Sequence, residues 1–159
     1  MPISATGRSE RRQAGFTLVE ILVALVVLGV LATSVVLTLP DPREAAQRSS
    51  VLSWQRQLEE AALRAEAEAR PWAWEITAEG SRLLSQRDGR WRSTGEAAQP
   101  LAEGLSLSAL EIDGHSRPIH SRIVFAGAAP LFALELSAAH RRWRITGLPN
   151  GRIVQEELP

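Results

Sequence analysis

The sequence predicts an α+β protein in which a long N-terminal helix packs on a meander of antiparallel strands. An apolar run at residues 16–39 contains a single formal charge, that of Glu20. Apolar residues then recur every three or four positions over residues 43–70, which is the period of a helix. After Pro71 the period changes to two, which is the period of a strand. A change of this kind along one chain predicts helix packed on sheet.

The composition narrows the possible functions. The chain has 159 residues and no formal net charge, and its 18 basic residues are all arginine. Balanced charge provides no global attraction to nucleic acid or anionic lipid, and the lack of cysteine excludes disulfides and thiol chemistry. Asp113 next to His115 could form an acid–base pair or bind a metal, but Asp-Gly-His more simply predicts a turn. We therefore expect no catalytic residue, no metal site and no cofactor.

The apolar run at residues 16–39 predicts a transmembrane helix. At 1.5 Å per residue it would extend about 36 Å, enough to cross a hydrocarbon core about 30 Å thick. Residues 1–14 carry three arginines and one glutamate, and the positive-inside rule keeps such a segment in the cytoplasm. A carboxylate within an apolar span is costly and is a candidate functional group. Glu20 is therefore either functional or a side chain that extends to the lipid headgroups.

The order of a basic leader, then Gly-Phe-Thr-Leu-Val-Glu at residues 15–20, then an apolar helix resembles the processing site of type IV pilins and type II secretion pseudopilins. The resemblance implies that a prepilin peptidase removes the leader, residues 1–15, by cutting between Gly15 and Phe16. It also implies methylation of the new amine on Phe16 and retention of residues 16–39 as an assembly helix. Glu20 would then pair with the N-terminal amine of a neighbouring subunit in a filament.

The helix is predicted to continue into the periplasm over residues 40–70. Pro40 and Pro42 predict a kink or a short break at its start, and Pro71 predicts its end. Charged side chains on the other faces form either a docking surface for neighbouring subunits or a solvated face. The predicted buried stripe consists of Val51, Trp54, Leu58, Ala62, Ala65 and Ala69.

Residues 71–159 predict a β-rich globular domain. Trp72, Trp74 and Ile76 alternate with Ala73, Glu75 and Thr77, which predicts a half-buried first strand. The alternation is imperfect over residues 105–112, which predicts a β-bulge. Turns are predicted at Glu79-Gly80, Asp88-Gly89, Asp113-Gly114 and Pro149-Asn150-Gly151.

Four arginines near the C-terminus form a candidate nucleic-acid contact. Arg142 and Arg144 share one strand face, Arg141 lies beside them, and Arg152 could join them across the last turn. Guanidinium groups bind phosphates through paired hydrogen bonds. The alternative is an ordinary solvated strand face with acidic neighbours, so nucleic acid is not the expected partner.

The β-domain is similar to one subfamily in its turns and tryptophans. Three segments resemble the H-type minor pseudopilins of type II secretion. They are Trp-Ala-Trp-Glu-Ile-Thr after the helix, Asp-Gly-Arg-Trp in the first hairpin and Pro-Asn-Gly-Arg near the C-terminus. Their relatives include the FimT and FimU minor pilins of type IV pili. A FimT-like or FimU-like minor pilin, with DNA bound by its C-terminal arginines, is thus the alternative, and the I and J types stay open.

The H-type resemblance implies a subunit at or near the tip of the periplasmic pseudopilus that drives protein export across the outer membrane. Its implied partners are the I-, J- and K-type minor pseudopilins, the major pseudopilin, the prepilin peptidase and the inner-membrane assembly platform. The implied location is the bacterial inner membrane, crossed once, with the N-terminus cytoplasmic and the C-terminal domain periplasmic.

Overall fold

The computed structural model describes residues 17–38, 41–77 and 80–159. The chain forms two compact units, Met1–Pro40 and Asp41–Pro159. The predicted leader, the predicted cleavage site and Glu79 of the first predicted turn lie outside the described residues.

The first unit contains helix α1, Leu18–Thr38. Side chains are described as far as Leu31, and every large apolar side chain among them is exposed, from 50% for Val27 to 80% for Leu18. A helix that is apolar on all sides needs an apolar environment, because water disfavours such a surface.

No helix within the described residues combines the length and the hydropathy of a membrane-spanning segment. The predicted transmembrane helix 16–39 includes Phe16 and Leu39, which lie outside those residues.

The second unit begins with helix α2, Pro42–Ala67. Asp41 is its N-cap, and the Asp41 carboxylate accepts a hydrogen bond of 2.8 Å from the backbone N–H of Arg43. Pro42 occupies the first turn, where its missing N–H costs no helical hydrogen bond. Thus Pro42 helps to start a helix, whereas the sequence predicted only an interruption there. The helix ends at Ala67, three residues before the predicted end.

The buried face of α2 matches the predicted stripe in its first half only. Val51, Trp54 and Leu58 are fully buried, as predicted. Further along, Ala61 is fully buried, and Ala62 and Ala65 are only partly buried. The prediction for Ala69 is wrong: it is exposed and follows the end of the helix, with a φ of 48°.

The described part of the second unit contains nine strands. They are β1 (Trp72–Thr77), β2 (Gly80–Arg87), β3 (Arg90–Ser93), β4 (Ser106–Ile112), β5 (His115–Ser116), β6 (Arg122–Phe125), β7 (Phe132–Ser137), β8 (Arg142–Gly147) and β9 (Ile153–Leu158).

These strands form two antiparallel sheets rather than one continuous meander. Among the described residues, sheet A has the order β3-β2-β1-β6, and sheet B has the order β5-β4-β7-β8-β9. Strand β6 leaves its sequence neighbours and pairs with β1, placing Arg122 opposite Glu75. Three predicted turns are confirmed, since Asp88-Gly89, Asp113-Gly114 and Asn150-Gly151 each connect paired strands. The predicted bulge is confirmed by a register shift between Leu107 and Ala109 in β4.

Strand β1 is buried on both faces, so the prediction of a half-buried strand is wrong. Trp72 and Trp74 face the core, as the alternation predicts, but Ala73 is also fully buried and Glu75 is 7% exposed. The reason is the central position of β1 between β2 and β6 in sheet A. On its second face, Arg82 of β2 and Arg122 of β6 pair with Glu75.

One polar side chain connects α2 to sheet A inside the core. The Gln57 carboxamide oxygen accepts hydrogen bonds from the Trp74 indole N–H at 3.0 Å and from the Ser81 hydroxyl at 2.6 Å. Trp54 packs edge-on against Trp74, with ring centroids 5.0 Å apart. These bonds satisfy polar atoms that burial would otherwise leave unpaired, and they fix α2 against β1 and β2.

Candidate functional site

The N-terminal candidate site begins at the start of α1. Gly15 and Phe16, the predicted cleavage and methylation residues, lie outside the described residues. Thr17 caps the helix, because its hydroxyl oxygen accepts a hydrogen bond of 3.2 Å from the backbone N–H of Glu20. The order Thr-x-x-Glu at the start of a helix is that of a capping box.

Glu20 therefore lies in the first turn of α1 and is exposed. A carboxylate at this end of a helix is favoured by the helix dipole, typically by about 0.3–1 kcal/mol. This local role is compatible with pairing to an external cation, because the side chain is accessible. The capping role of Thr17 was missed at the sequence level, although Thr17 and Glu20 have the spacing that signals it.

The predicted C-terminal arginines are only partly brought together. Arg142 and Arg144 do share a face of β8, whose other face buries Trp143 and Ile145. Arg152 lies at the opposite end of the β8–β9 hairpin from Arg142. Arg142 is opposite Leu158, and Ile153 is opposite Gly147. Five strand residues separate the two ends, about 17 Å, so Arg152 does not join the cluster.

The remaining arginines of this group have acidic or carbonyl partners. Arg144 lies between Glu135 on β7 and Glu156 on β9, at 2.5 Å and 3.7 Å. We call Arg144, Glu135 and Glu156 the arginine-centred triplet. Hydrogen bonds from the guanidinium to Glu135 raise the pKa of Arg144, so the group stays charged.

Arg141 and Arg142 are engaged as well. Arg141 forms ion pairs with Glu44 at 2.7 Å and Glu157 at 3.0 Å, and Arg142 donates to the carbonyl oxygen of Pro159 at 2.7 Å. Phosphate contacts from these side chains would have to compete with the existing partners. DNA contact by the group stays a prediction.

A second charged group, on sheet A, was not predicted. Glu75 lies directly opposite Arg82 on β2 and Arg122 on β6. The carboxylate accepts from Arg82 at 2.7 Å and from Arg122 at 2.5 Å. We call Glu75, Arg82 and Arg122 the acid-centred triplet. A glutamate within the otherwise apolar Trp-Ala-Trp-Glu-Ile run was the signal that could have revealed it.

Burial and pairing have opposite effects on Glu75. Desolvation raises the pKa of a carboxyl group, but the hydrogen bonds from Arg122 and Arg82 outweigh this effect, and the pKa of Glu75 lies below its ordinary value. The guanidinium of Arg122 also lies over the ring of Trp91, 6.0 Å from its centroid. The triplet therefore joins three strands of sheet A, β2, β1 and β6, through the ionised carboxylate of Glu75.

The histidine beside Asp113 forms part of a turn. His115 is exposed, and its Nδ1 lies 2.8 Å from the backbone carbonyl oxygen of Asp113, within the turn between β4 and β5. In the described ranges, no group of three or more histidine, cysteine, aspartate or glutamate residues could hold a metal ion.

The N-terminal part of the chain matches one known family model. The prokaryotic N-terminal methylation motif matches residues 11–36, which include Gly15, Phe16 and Glu20. The chain thus combines a prokaryotic N-terminal methylation motif with an α+β fold of a helix on antiparallel sheets.

The individual relatives are components of type II secretion. The type II secretion system core protein G of Dickeya chrysanthemi is 52% identical over 44 residues, which are 28% of this chain and 29% of that protein. The protein of the same name from Klebsiella pneumoniae is 54% identical over 43 residues, which are 27% and 31% of the two chains. The chain therefore spans about 30% of the length of the curated relatives it matches.

The fold of the chain resembles that of the minor pseudopilin EpsH from the type 2 secretion system of Vibrio cholerae. The TM-score is 0.50 at 18% identity, and the match covers 69% of this chain and 95% of that one. This confirms the predicted pilin-like α+β fold. The methylation motif and this likeness confirm the predicted resemblance in the N-terminal motif and in the fold.

Proposed function

We propose that this chain is a minor pseudopilin of a type II secretion system that assembles at or near the tip of the pseudopilus. The observation that carries the proposal is the methylation motif at residues 11–36 in a chain with an EpsH-like fold. The role is structural rather than catalytic: the chain works by packing against other subunits.

In this proposal, the prepilin peptidase cuts between Gly15 and Phe16 and methylates the amine of Phe16. Residues 16–39 stay in the mature protein, anchor it in the bacterial inner membrane, and later pack against the corresponding helices of other subunits. The exposed apolar side chains of residues 18–31 support this step, because such a surface is stable only against lipid or other apolar helices. The β-domain lies in the periplasm.

The partners follow from the same proposal. They are the I-, J- and K-type minor pseudopilins, the major pseudopilin and the inner-membrane assembly platform. Glu20 pairs with the methylated amine of a neighbouring subunit as the helix enters the filament. Two opposite charges attract strongly in a medium of low dielectric constant, and each is costly there without the other. The pair thereby checks the register of assembly.

Processing is tested first, on the chain expressed with a prepilin peptidase. Mass spectrometry of the mature protein should find an N-terminal Phe16 that carries one added methyl group. A mature protein that begins beyond Leu39 would overturn the proposal, since the assembly helix would then be absent.

Assembly is tested by cysteine crosslinking in cells that contain the secretion apparatus. The chain has no cysteine, so Ala24→Cys, combined with one cysteine introduced into the corresponding helix of another pseudopilin, reports contacts of α1 alone. Glu20→Ala should enter the membrane normally but lower crosslinking to other pseudopilins about tenfold. The matched control is Glu66→Ala, which removes an exposed carboxylate from α2 and should leave crosslinking unchanged. Equal crosslinking of the two variants would count against the role of Glu20.

The alternative is a FimT-like or FimU-like minor pilin of a type IV pilus. Co-purification of the full chain with I-, J- or K-type pseudopilins favours secretion, whereas co-purification with type IV pilus subunits favours the alternative.

A further inference from the structure

A polar cavity of about 370 Å³ lies between the C-terminal end of α2 and the β2–β3 hairpin. Four arginines line it, together with a single acidic residue, Glu68. We call this cavity the four-arginine pocket. It is distinct from both triplets, since none of their residues lines it. The lining arginines are Arg64, Arg70, Arg87 and Arg92.

Two of the arginines form the fixed inner wall of the pocket. The guanidinium groups of Arg64 and Arg70 lie over the ring of buried Trp72, 4.9 Å and 5.5 Å from its centroid. Arg64 also pairs with Glu60 and Glu96, and Arg70 pairs with Glu68. These cation–π and ionic contacts hold both guanidinium groups in place. The ionic contacts also show that both groups bind carboxylates.

The other two arginines are available for a ligand. Arg87 on β2 and Arg92 on β3 are exposed. They lie on the same face of sheet A, because Arg92 is opposite Ser85, two residues from Arg87. No carboxylate among the described residues lies within ion-pair distance of either one. Two free guanidinium groups on neighbouring strands can bind carboxylate oxygens through paired, charge-assisted hydrogen bonds.

Two buried polar atoms on lining residues also lack partners. Nε of Arg70 and the hydroxyl oxygen of Thr94 have no hydrogen-bond partner among the described residues. Buried polar groups in native proteins are normally paired, and a carboxylate supplies the acceptors that these donors lack.

We propose that the four-arginine pocket binds carboxylate side chains of an acidic, extended segment of a partner protein. That the ligand belongs to a protein rests on the proposed function as an assembling subunit. The position of the pocket supports it as well: β3 is an edge strand of sheet A, and an extended segment can add to such an edge while its side chains enter pockets. Arg92 and Ser93 of this edge strand line the pocket.

The test is fluorescence anisotropy of a labelled hexaglutamate peptide with the full chain in nonionic detergent. The double variant R87Q/R92Q should weaken binding at least tenfold. The matched control R48Q/R117Q removes the same charge from exposed arginines that do not line the pocket, and it should change affinity less than twofold. Unchanged thermal unfolding of both variants shows that the fold is intact.

Three outcomes would overturn the proposal: no peptide binding at low salt, equal loss in the two double variants, or inorganic phosphate binding at the pocket without peptide binding. The last outcome would assign the pocket to a small anion. None of these results affects processing at Phe16 or crosslinking through Glu20, so a failure here is distinguishable from a failure of the proposed function.

Discussion

The two sheets contain mirror-image charge groups whose surroundings differ. In sheet A one carboxylate, Glu75, lies between two arginines on neighbouring strands, whereas in sheet B one arginine, Arg144, lies between two glutamates. Every pair is directly opposite across the strands. Glu75 is only 7% exposed, but the side chain of Arg144 is 40% exposed.

The difference in burial predicts different contributions to the stability of the fold, although each group contains two ion pairs. Solvent screens exposed pairs, and they contribute little. A buried carboxylate must keep its partners, because the charge is costly without them. The acid-centred triplet should therefore stabilise the β-domain, whereas the arginine-centred triplet should mainly neutralise surface charge.

The largest expected effect comes from Glu75→Ala. The variant loses the charge-assisted hydrogen bonds from Arg82 and Arg122, and we expect the free energy of unfolding to fall by about 2 kcal/mol. The estimate lies below the usual cost of breaking a buried pair because both arginines are partly exposed. Chemical denaturation of the full chain in detergent measures it. Glu135→Ala is the control on sheet B, and an equal loss there would contradict the comparison.

Acid should weaken the contribution of the acid-centred triplet to stability. The pKa of Glu75 lies below its ordinary value of 4.5, so its contribution to stability is complete above that value and is lost as the pH falls through the lowered pKa. Glu75→Gln removes this titration. The melting temperature of the wild type should therefore fall more steeply than that of the variant as the pH is lowered below about 4.5. Parallel pH profiles would show that Glu75 is not stabilised as a carboxylate.

A smaller effect is expected for Arg144→Gln. The group is exposed, so the melting temperature should change little at low salt and not at all near 1 M salt, where screening acts within about 3 Å. The loss in Glu75→Ala should persist at the same salt concentration. A decrease in the melting temperature of Arg144→Gln that does not depend on salt would contradict the proposed difference between the two triplets.

The smallest expected effect concerns DNA. Because Arg141 and Arg144 already have acidic partners, the full chain should not retard duplex DNA at 0.15 M salt. Weak retardation at low salt should fall less in R142Q/R144Q than in R87Q/R92Q. Arg144 is already paired with Glu135 and Glu156, whereas neither Arg87 nor Arg92 has an acidic partner among the described residues. Strong, salt-dependent retardation that R142Q/R144Q abolishes would instead support the alternative of a DNA-binding minor pilin.

Much of the fold could be predicted from local signals. Asp88-Gly89 predicted the β2–β3 hairpin, because a tight primed turn needs residues that tolerate positive φ. In the structure both residues have positive φ, 52° and 72°. The imperfect alternation in residues 105–112 predicted the bulge, because an extra residue shifts every later side chain to the other face. The end of α2 was placed too late, since alanines continue a helical pattern beyond the residue at which the backbone leaves it.

The charge groups could be predicted less well, because they depend on pairing between distant strands. Glu75 and Arg122 are 47 residues apart, and only the pairing of β6 with β1 brings them together. The sequence also predicted that Arg152 could join Arg142 across the last turn. In the structure, the length of the β8–β9 hairpin separates the two residues. The number of residues between Arg142 and Arg152 does not reveal that they lie at opposite ends of the hairpin.

The sequence by itself determined the N-terminal methylation motif, the apolar helix behind it and the turns of the hairpins, because each depends on neighbouring residues. Only the tertiary structure decided that the strands divide into two sheets, that Glu75 is buried between arginines, and that Arg87 and Arg92 have no acidic partner within the described residues. These features depend on strand order and register, which long-range packing of the core selects.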